Sequence, residues 1–402
     1  MATDKSDRPL KPGKKKKKKG GKPGDKPYVP ISKKAKKKKT SAVVLLIAIG
    51  VGFAGLIAVG GLLAWVVSRP GSVMTTLSFV PADCNVVRGV AVANLKAYPG
   101  YKAEVDKHYT ESLQTAATAF AKAANQDEAN FVDYLVIAKN RSGPSTVGTM
   151  YIFRTVKKID PNGLPAAVGN GTPKTINGQN FIQMNAKAPG ALANSLVYCP
   201  SERHIVIIPP GPQQQAMASG SAAAKAAPLE SYSGKNLDAT TKTVIKGSIW
   251  LVVRATGGNK GYIADITGTV AADFKELDEQ GKKSPTFGIW TTPGGKGITV
   301  GMALQCGSAD EAKKLVKNLQ NGPMGKYDES EAPNSLRSGG SMVVQNKKLY
   351  GEFMQYISYE RFEECAFLKT KVSGESATSL MTTVNNPAMG TGSTDDGGGG
   401  GG

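Results

Sequence analysis

The chain has little of what enzymes most often draw on. Its 402 residues include only two histidines and four cysteines. His108 and His204 stand far apart, so the H-E-x-x-H helix face of a catalytic zinc site is absent. Cys84, Cys199, Cys306 and Cys365 are spread singly, which excludes the C-x-x-C pairs of structural zinc. No serine sits in a G-x-S-x-G elbow; Ser145, Ser221 and Ser341 all miss the pattern. Gly294, Gly295, Lys296 and Gly297 lack the upstream glycine and the downstream Ser or Thr of a phosphate loop, and read as a hairpin turn. Asp273, Glu276, Asp278 and Glu279 read as a solvated helix face. No catalytic residue, metal site or cofactor is therefore expected.

Acid is scarce at the N-terminus. Residues 1–40 hold 17 Lys and Arg against three Asp, a net of +14, which leaves only +6 of the chain's +20 for the other 362 residues. The basicity belongs to the tail, in the runs Lys14–Lys19 and Lys33, Lys34, Lys36, Lys37, Lys38 and Lys39. Like charges repel along these runs and Gly and Pro interrupt them, so residues 1–41 are expected to be disordered. Each lysine near an anionic leaflet contributes on the order of 1 kcal/mol of attraction, which makes lipid headgroups the expected partner of Lys33 to Lys39. Nucleic acid is not expected, because no aromatic platform accompanies the lysines.

Charge is then missing altogether from Ala42 to Val67. A helix over these 26 residues reaches about 39 Å at 1.5 Å per residue, enough to cross a hydrocarbon core of roughly 30 Å with tilt. The run is too long for a cleaved signal and is expected to remain as a signal-anchor. Lysines crowd its N-terminal flank while Arg69 stands alone on the other. The positive-inside rule thus places the tail in the cytoplasm and the body outside, in a single-pass inner-membrane topology.

The body mixes short apolar runs with turn residues. A strand is expected at Cys84–Leu95 and a helix at Tyr101–Ala124. A hairpin follows from Val132–Lys139 and Thr146–Val156, then strands at Gln179–Asn185, Ser195–Cys199 and His204–Ile208. These make a first unit over 71–208. Residues 209–246, rich in Pro, Gln, Ala, Ser and Gly, are expected to be a low-complexity linker. A second unit over 247–372 repeats the order: a strand at Gly247–Ala255, a helix at Val270–Glu279, a hairpin of Pro285–Thr292 with Gly297–Cys306, and a helix at Ser308–Gln320 capped by Ser308. A last hairpin pairs Ser341–Gln345 with Lys348–Ser358, and residues 373–402 form a Gly-, Ser- and Thr-rich tail. The expected fold class is α+β: one transmembrane helix, then two antiparallel-sheet units with helices on one face.

Phe79–Val92, FVPADCNVVRGVAV, and the strand-to-helix passage Gly297–Leu319 carry a resemblance. Together with the Lys-rich N-terminus and single anchor, they resemble uncharacterised bacterial inner-membrane proteins whose body opens on a Pro-Ala-Asp turn before a Val-rich strand. That family implies the architecture and no activity.

In an oxidising compartment the four cysteines allow two disulfides in three connectivities. Cys84 with Cys199 and Cys306 with Cys365 would staple one half each; four buried thiols are the alternative. Sequons at Asn140 and Asn170 are assigned no role. The favoured function is a membrane-anchored extracytoplasmic module that binds a protein or envelope component. The alternatives are an enzyme whose site the sequence order conceals, and a Lys-rich tail that tethers anionic lipid or nucleic acid.

Overall fold

A computed structural model describes residues 72–96, 109–142, 145–169, 171–255, 280, 283–294, 297–321 and 355–373. Among these residues no helix is long and apolar enough to cross a membrane. The expected span at Ala42–Val67, the lysine tail, the helix at Val270–Glu279, the strand at Ser341–Gln345 and most of its Lys348–Ser358 partner lie outside them.

The described residues open with α1 (Val73–Leu77), capped by the Ser72 hydroxyl, which accepts from the Thr75 N–H at 3.4 Å. Strand β1 (Val86–Val90) follows, then α2 (Val92–Lys96) and α3 (Glu111–Ala123). The expected hairpin forms as β2 (Val132–Ser142) and β3 (Ser145–Thr155). After α4 (Leu164–Ala167) come β4 (Gly171–Ile176) and β5 (Gln179–Met184), then β6 (Leu196–Ser201) and β7 (His204–Ile208). Asn177 and Gly178, with φ of 47° and 73°, join β4 to β5 in the conformation that a tight hairpin requires.

The segment 209–246 is not a linker. It forms α5 (Gln214–Ala226), α6 (Tyr232–Lys235) and α7 (Ala239–Val244), all with buried residues. Its Ala, Ser and Gly content is a packing composition: Met217, Ala218, Ser221 and Ala222 face the sheet, and Gly220 lets α5 approach Pro81.

Strand β8 (Ile249–Arg254) begins the second half, followed by β9 (Thr286–Gly294), β10 (Gly297–Gln305), α8 (Ala309–Asn321), β11 (Ser358–Phe362) and β12 (Cys365–Ser373). Ser308 caps α8 as expected, accepting from the Glu311 N–H at 3.2 Å while Glu311 Oε2 accepts from the Gly307 N–H at 2.8 Å.

Among the described residues the fold is α+β around one antiparallel sheet of twelve strands, in the order β11-β12-β10-β9-β8-β1-β2-β3-β7-β6-β5-β4. The two expected units are thus fused. β1 and β8 pair antiparallel from Val86↔Val253 to Val90↔Ile249. Outward from that seam the halves match: β1, β2, β3, β7, β6 on one side and β8, β9, β10, β12, β11 on the other, every pair antiparallel. A short helix precedes the seam strand in each half, α1 before β1 and α7 before β8. Among the described residues, the first half adds the β4–β5 hairpin beyond β6.

Helices cover both faces, not one. Alternation along the strands sends Val90, Leu135, Phe153 and Ile205 to a first face under α3, and Leu251, Phe287, Leu304 and Leu368 to the same face under α8. Val87, Val136, Ile152, Val206, Trp250 and Val252 go to the second face, where α1, α5, α6 and α7 lie. Central strands apolar on both sides cannot leave one face wet. The mid-chain segment, expected to be a linker, supplies most of the cover on the second face.

Candidate functional site

The described residues bring chemically capable side chains together in one buried cluster on the second face, where β2, β3 and β7 meet α1. A β-bulge creates it. The β2–β3 register passes from Val132↔Thr155 to Tyr134↔Arg154, so Asp133 is an extra residue. Its side chain reaches the Arg154 Nε, which donates to Oδ1 at 2.9 Å and to Oδ2 at 3.2 Å. The Arg154 guanidinium lies 4.8 Å from the Tyr134 ring centroid, and the Tyr134 hydroxyl accepts from the Trp250 indole N–H. Burial pushes the Asp133 carboxyl above its ordinary value, against the pull of Arg154.

His204, first in β7, stands opposite Arg154 in the ladder. Its Nε2 is 3.1 Å from the Thr76 hydroxyl and its Nδ1 is 2.7 Å from the Ser201 hydroxyl, so both ring nitrogens are used. The ring packs on Phe79 with centroids 5.0 Å apart. Desolvation, with Arg154 and Arg203 nearby, lowers its pKa to about 3. The two hydroxyls can serve either ring form; burial and the neighbouring guanidinium charges are what hold the imidazole neutral.

Serine, histidine and aspartate are all present, yet they do not form a hydrolytic relay. A relay needs a carboxylate on one ring nitrogen and the nucleophile on the other. Here two hydroxyls take the nitrogens and Asp133 is bound to Arg154. The cluster fastens α1 to the sheet.

The second half carries a counterpart. Cys365, first in β12, stands opposite Gln305 as His204 stands opposite Arg154. Thr240 of α7 donates through its N–H and its hydroxyl to Gln305 Oε1, at 3.2 and 3.3 Å. Beside it Arg254 Nη1 donates to Asp238 Oδ2 at 2.9 Å, and the Thr286 hydroxyl donates to the same oxygen at 2.6 Å.

The four cysteines are buried free thiols. The expected pairs do not form because each is split across the sheet. Cys84 and Cys365 pack on the second face, whereas Cys199 and Cys306 pack on the first. Burial raises every thiol pKa, to about 12 for Cys199, about 11 for Cys306 and Cys365, and well above the ordinary value for Cys84. Such thiols are inert as nucleophiles.

The other residues singled out in the sequence are scattered. Ser221 accepts from the Tyr198 hydroxyl at 2.7 Å and donates to the Phe79 carbonyl at 2.8 Å, a packing role. Gly294 and Gly297 bound the β9–β10 hairpin, as expected. Asn140 donates to Asp83 at 3.0 Å. His108, Asn170, Asp273, Glu276, Asp278, Glu279, Ser341 and the lysines Lys33 to Lys39 lie outside the described residues. Among those described, no group of three or more His, Cys, Asp or Glu converges as a metal site would require.

A cleft of about 330 Å³ opens between the end of α3 and α4, lined by Ala124, Gln126, Lys158, Ile159, Asp160 and Leu164 among others. Its polar groups are committed elsewhere. Lys158 pairs with Glu202 at 2.5 Å, Gln126 donates to the Lys158 carbonyl at 2.8 Å, and Asp160 accepts from the Asn162 N–H at 3.0 Å.

No family model and no curated protein matches the chain. Among solved structures, crystal form I of TP0453 is similar at a TM-score of 0.38 and 9% identity, covering 77% of this chain and 98% of that one. Crystal form IV of TP0453 gives 0.37 and 10%, covering 76% and 96%. A likeness of that size defines neither a shared fold nor a shared function.

Proposed function

We propose that the chain is a membrane-anchored, non-enzymatic module. A helix over Ala42–Val67 spans the inner membrane, residues 1–41 lie on the cytoplasmic side against anionic headgroups, and the α+β body outside the cytoplasm binds a protein or envelope component. The observation that carries the body's part is the saturation of its chemical groups: His204, Asp133 and Arg154 use their polar atoms on one another and on Thr76 and Ser201. A general base must be free to take a proton, and a histidine held neutral to about pH 3 between two hydroxyls holds α1 in place instead. The anchor's part rests on the 26 uncharged residues and the asymmetry of the flanking lysines.

The test uses the full chain. Membranes washed in alkaline carbonate should retain it, and protease added to right-side-out vesicles should cut the body while sparing the tail. Chemical crosslinking in those membranes should give one saturable adduct of the body. Release by carbonate, or protection of the body, removes the anchor and its orientation; a body that forms no adduct removes the binding role. Deleting residues 1–41 should lower binding to phosphatidylserine vesicles and leave the body's adduct unchanged.

A further inference from the structure

The helices on the two faces differ in what they turn outward. On the first face, α8 exposes Glu311, Lys313, Lys314 and Lys317, the charged outer side of a helix that faces water. On the second face, α5 and its flanks expose almost no charge. Residues 209–229 include a single charged side chain, Lys225, and its Nζ donates to Gln179 Oε1 at 2.6 Å. Ala216, Ala223, Ala226 and Ala227 are exposed, and the stretch ends on Leu229, which is 82% exposed.

A rigid turn holds Leu229 out. The Glu230 N–H donates to the Ala227 carbonyl at 2.8 Å, the Ser231 N–H donates to the Pro228 carbonyl at 3.2 Å, and the Ser231 hydroxyl donates to that same carbonyl at 2.5 Å. A side chain at position 234 would strike the Leu229 backbone, so Gly234 lets α6 close against the turn. Glu230, the acid next to Leu229, is paired with Lys235. The turn is tied to the start of the body: the Tyr232 N–H donates to the Val80 carbonyl at 2.9 Å, and Ser231 bridges to Pro81.

That start follows closely on the uncharged run. Only residues 68–72 separate Val67 from α1 at Val73, and α1 lies on the second face. Even fully extended, so short a stretch spans about 20 Å. We propose that the second face rests on the outer surface of the membrane, with Leu229 entering the boundary between headgroups and acyl chains. The partner is the lipid bilayer, reached through the tether. The proposal rests on the reading of Ala42–Val67 as an anchor and adds a second contact that fixes how the body stands. A single leucine holds a free protein to a bilayer only weakly; tethering makes the contact an intramolecular one. An uncharged helix face loses little hydration on approach, whereas the charged side of α8 would lose much. The first face then points away from the bilayer.

The experiment reconstitutes full-length protein into vesicles of phosphatidylcholine and phosphatidylglycerol and reads a nitrobenzoxadiazole probe on one introduced cysteine, Ala226→Cys on α5 or Lys314→Cys on α8. Wild type carried through the same labelling subtracts any reaction of the four buried thiols. The probe at 226 should emit to the blue and be quenched by spin-labelled lipid, the probe at 314 should do neither, and adding Leu229→Glu should abolish the response at 226. Leu229 is exposed, so that substitution leaves the fold intact. Equal responses at both positions, a response at neither, or one at 226 that survives Leu229→Glu overturns the proposal. So does a probe at 226 shielded from aqueous iodide yet untouched by the lipid quencher, which seats a protein on the face. Alkaline carbonate separates the two readings: a chain retained with its 226 probe in water ends this proposal alone, whereas a chain that is released ends the anchor and this contact with it.

Discussion

Trp250 and Trp290 stand directly opposite each other across the β8–β9 pair, and each indole covers a glycine on the neighbouring strand. Trp250 lies over Gly89 of β1 and Trp290 over Gly301 of β10, their partners in the ladder. A Cβ on Gly89 would sit 2.2 Å from Trp250 Cε2, and one on Gly301 2.2 Å from Trp290 Cζ2. The row Gly89, Trp250, Trp290, Gly301 therefore ties the two halves across their seam.

Gly89→Ala and Gly301→Ala should each force an indole off its site and destabilise the body by about 1–3 kcal/mol, as overpacking does elsewhere. Thermal melts of each variant should fall by several degrees. Unchanged melting for both would show that the indoles shift at no cost and that the row does not hold the seam.

Removing one partner of the Asp133–Arg154 pair leaves a buried charge uncompensated. Asp133→Ala should cost about 3–5 kcal/mol, whereas replacing both by apolar residues of similar size, Asp133→Leu with Arg154→Met, should cost much less. Denaturant titration distinguishes the two. A double variant as unstable as the single one would mean that the bulge needs the ion pair for its geometry.

How much of this was legible in the sequence follows from range. The β2–β3 and β9–β10 hairpins and α8 are local: period-2 or period-3.6 patterns bounded by turn residues and, for α8, a Ser308–Glu311 cap written in adjacent residues. The fusion of the halves was not legible, because the β1–β8 pairing joins residues more than 150 apart and depends on both faces being apolar. The covering role of 209–246 was hidden for a different reason. Small residues that let α5 lie close to the sheet have the same composition as a flexible linker. In the polar cluster, one trace was visible: Asp133 interrupts a Val-, Leu- and Ile-rich strand, which signals a bulge or a buried partner. Its partner Arg154 and the Thr76–His204 contact, 128 residues apart, could not be read from spacing.

The thiols give a direct chemical test. In folded protein at pH 8 none of Cys84, Cys199, Cys306 and Cys365 should react with a thiol reagent, and all four should react once the chain is unfolded. Migration should be identical on reducing and non-reducing gels. A reduction-dependent shift would reinstate a disulfide and require a sheet in which two of these residues share a face.

The last prediction concerns acid. His204 titrates near 3 in the folded state against an ordinary value of 6.5, so between those pH values the unfolded chain binds a proton that the folded chain does not. Stability contributed by neutral His204 is then complete above pH 6.5 and declines as pH falls toward 3, by about 1.4 kcal/mol per unit within the window. Asp133 acts in the opposite sense: its carboxyl is raised by burial, so acidification relieves part of its cost near the lower end of the range. The informative quantity is the difference between wild type and His204→Asn, because other carboxylates titrate equally in both. Denaturant midpoints at pH 7, 6 and 5 should fall more steeply for wild type than for His204→Asn, even though the variant is weaker at pH 7 through loss of the Thr76 contact. Parallel slopes would mean that the imidazole accepts a proton in place, and that the Thr76, Ser201 and Phe79 enclosure opens without cost to the hold on α1.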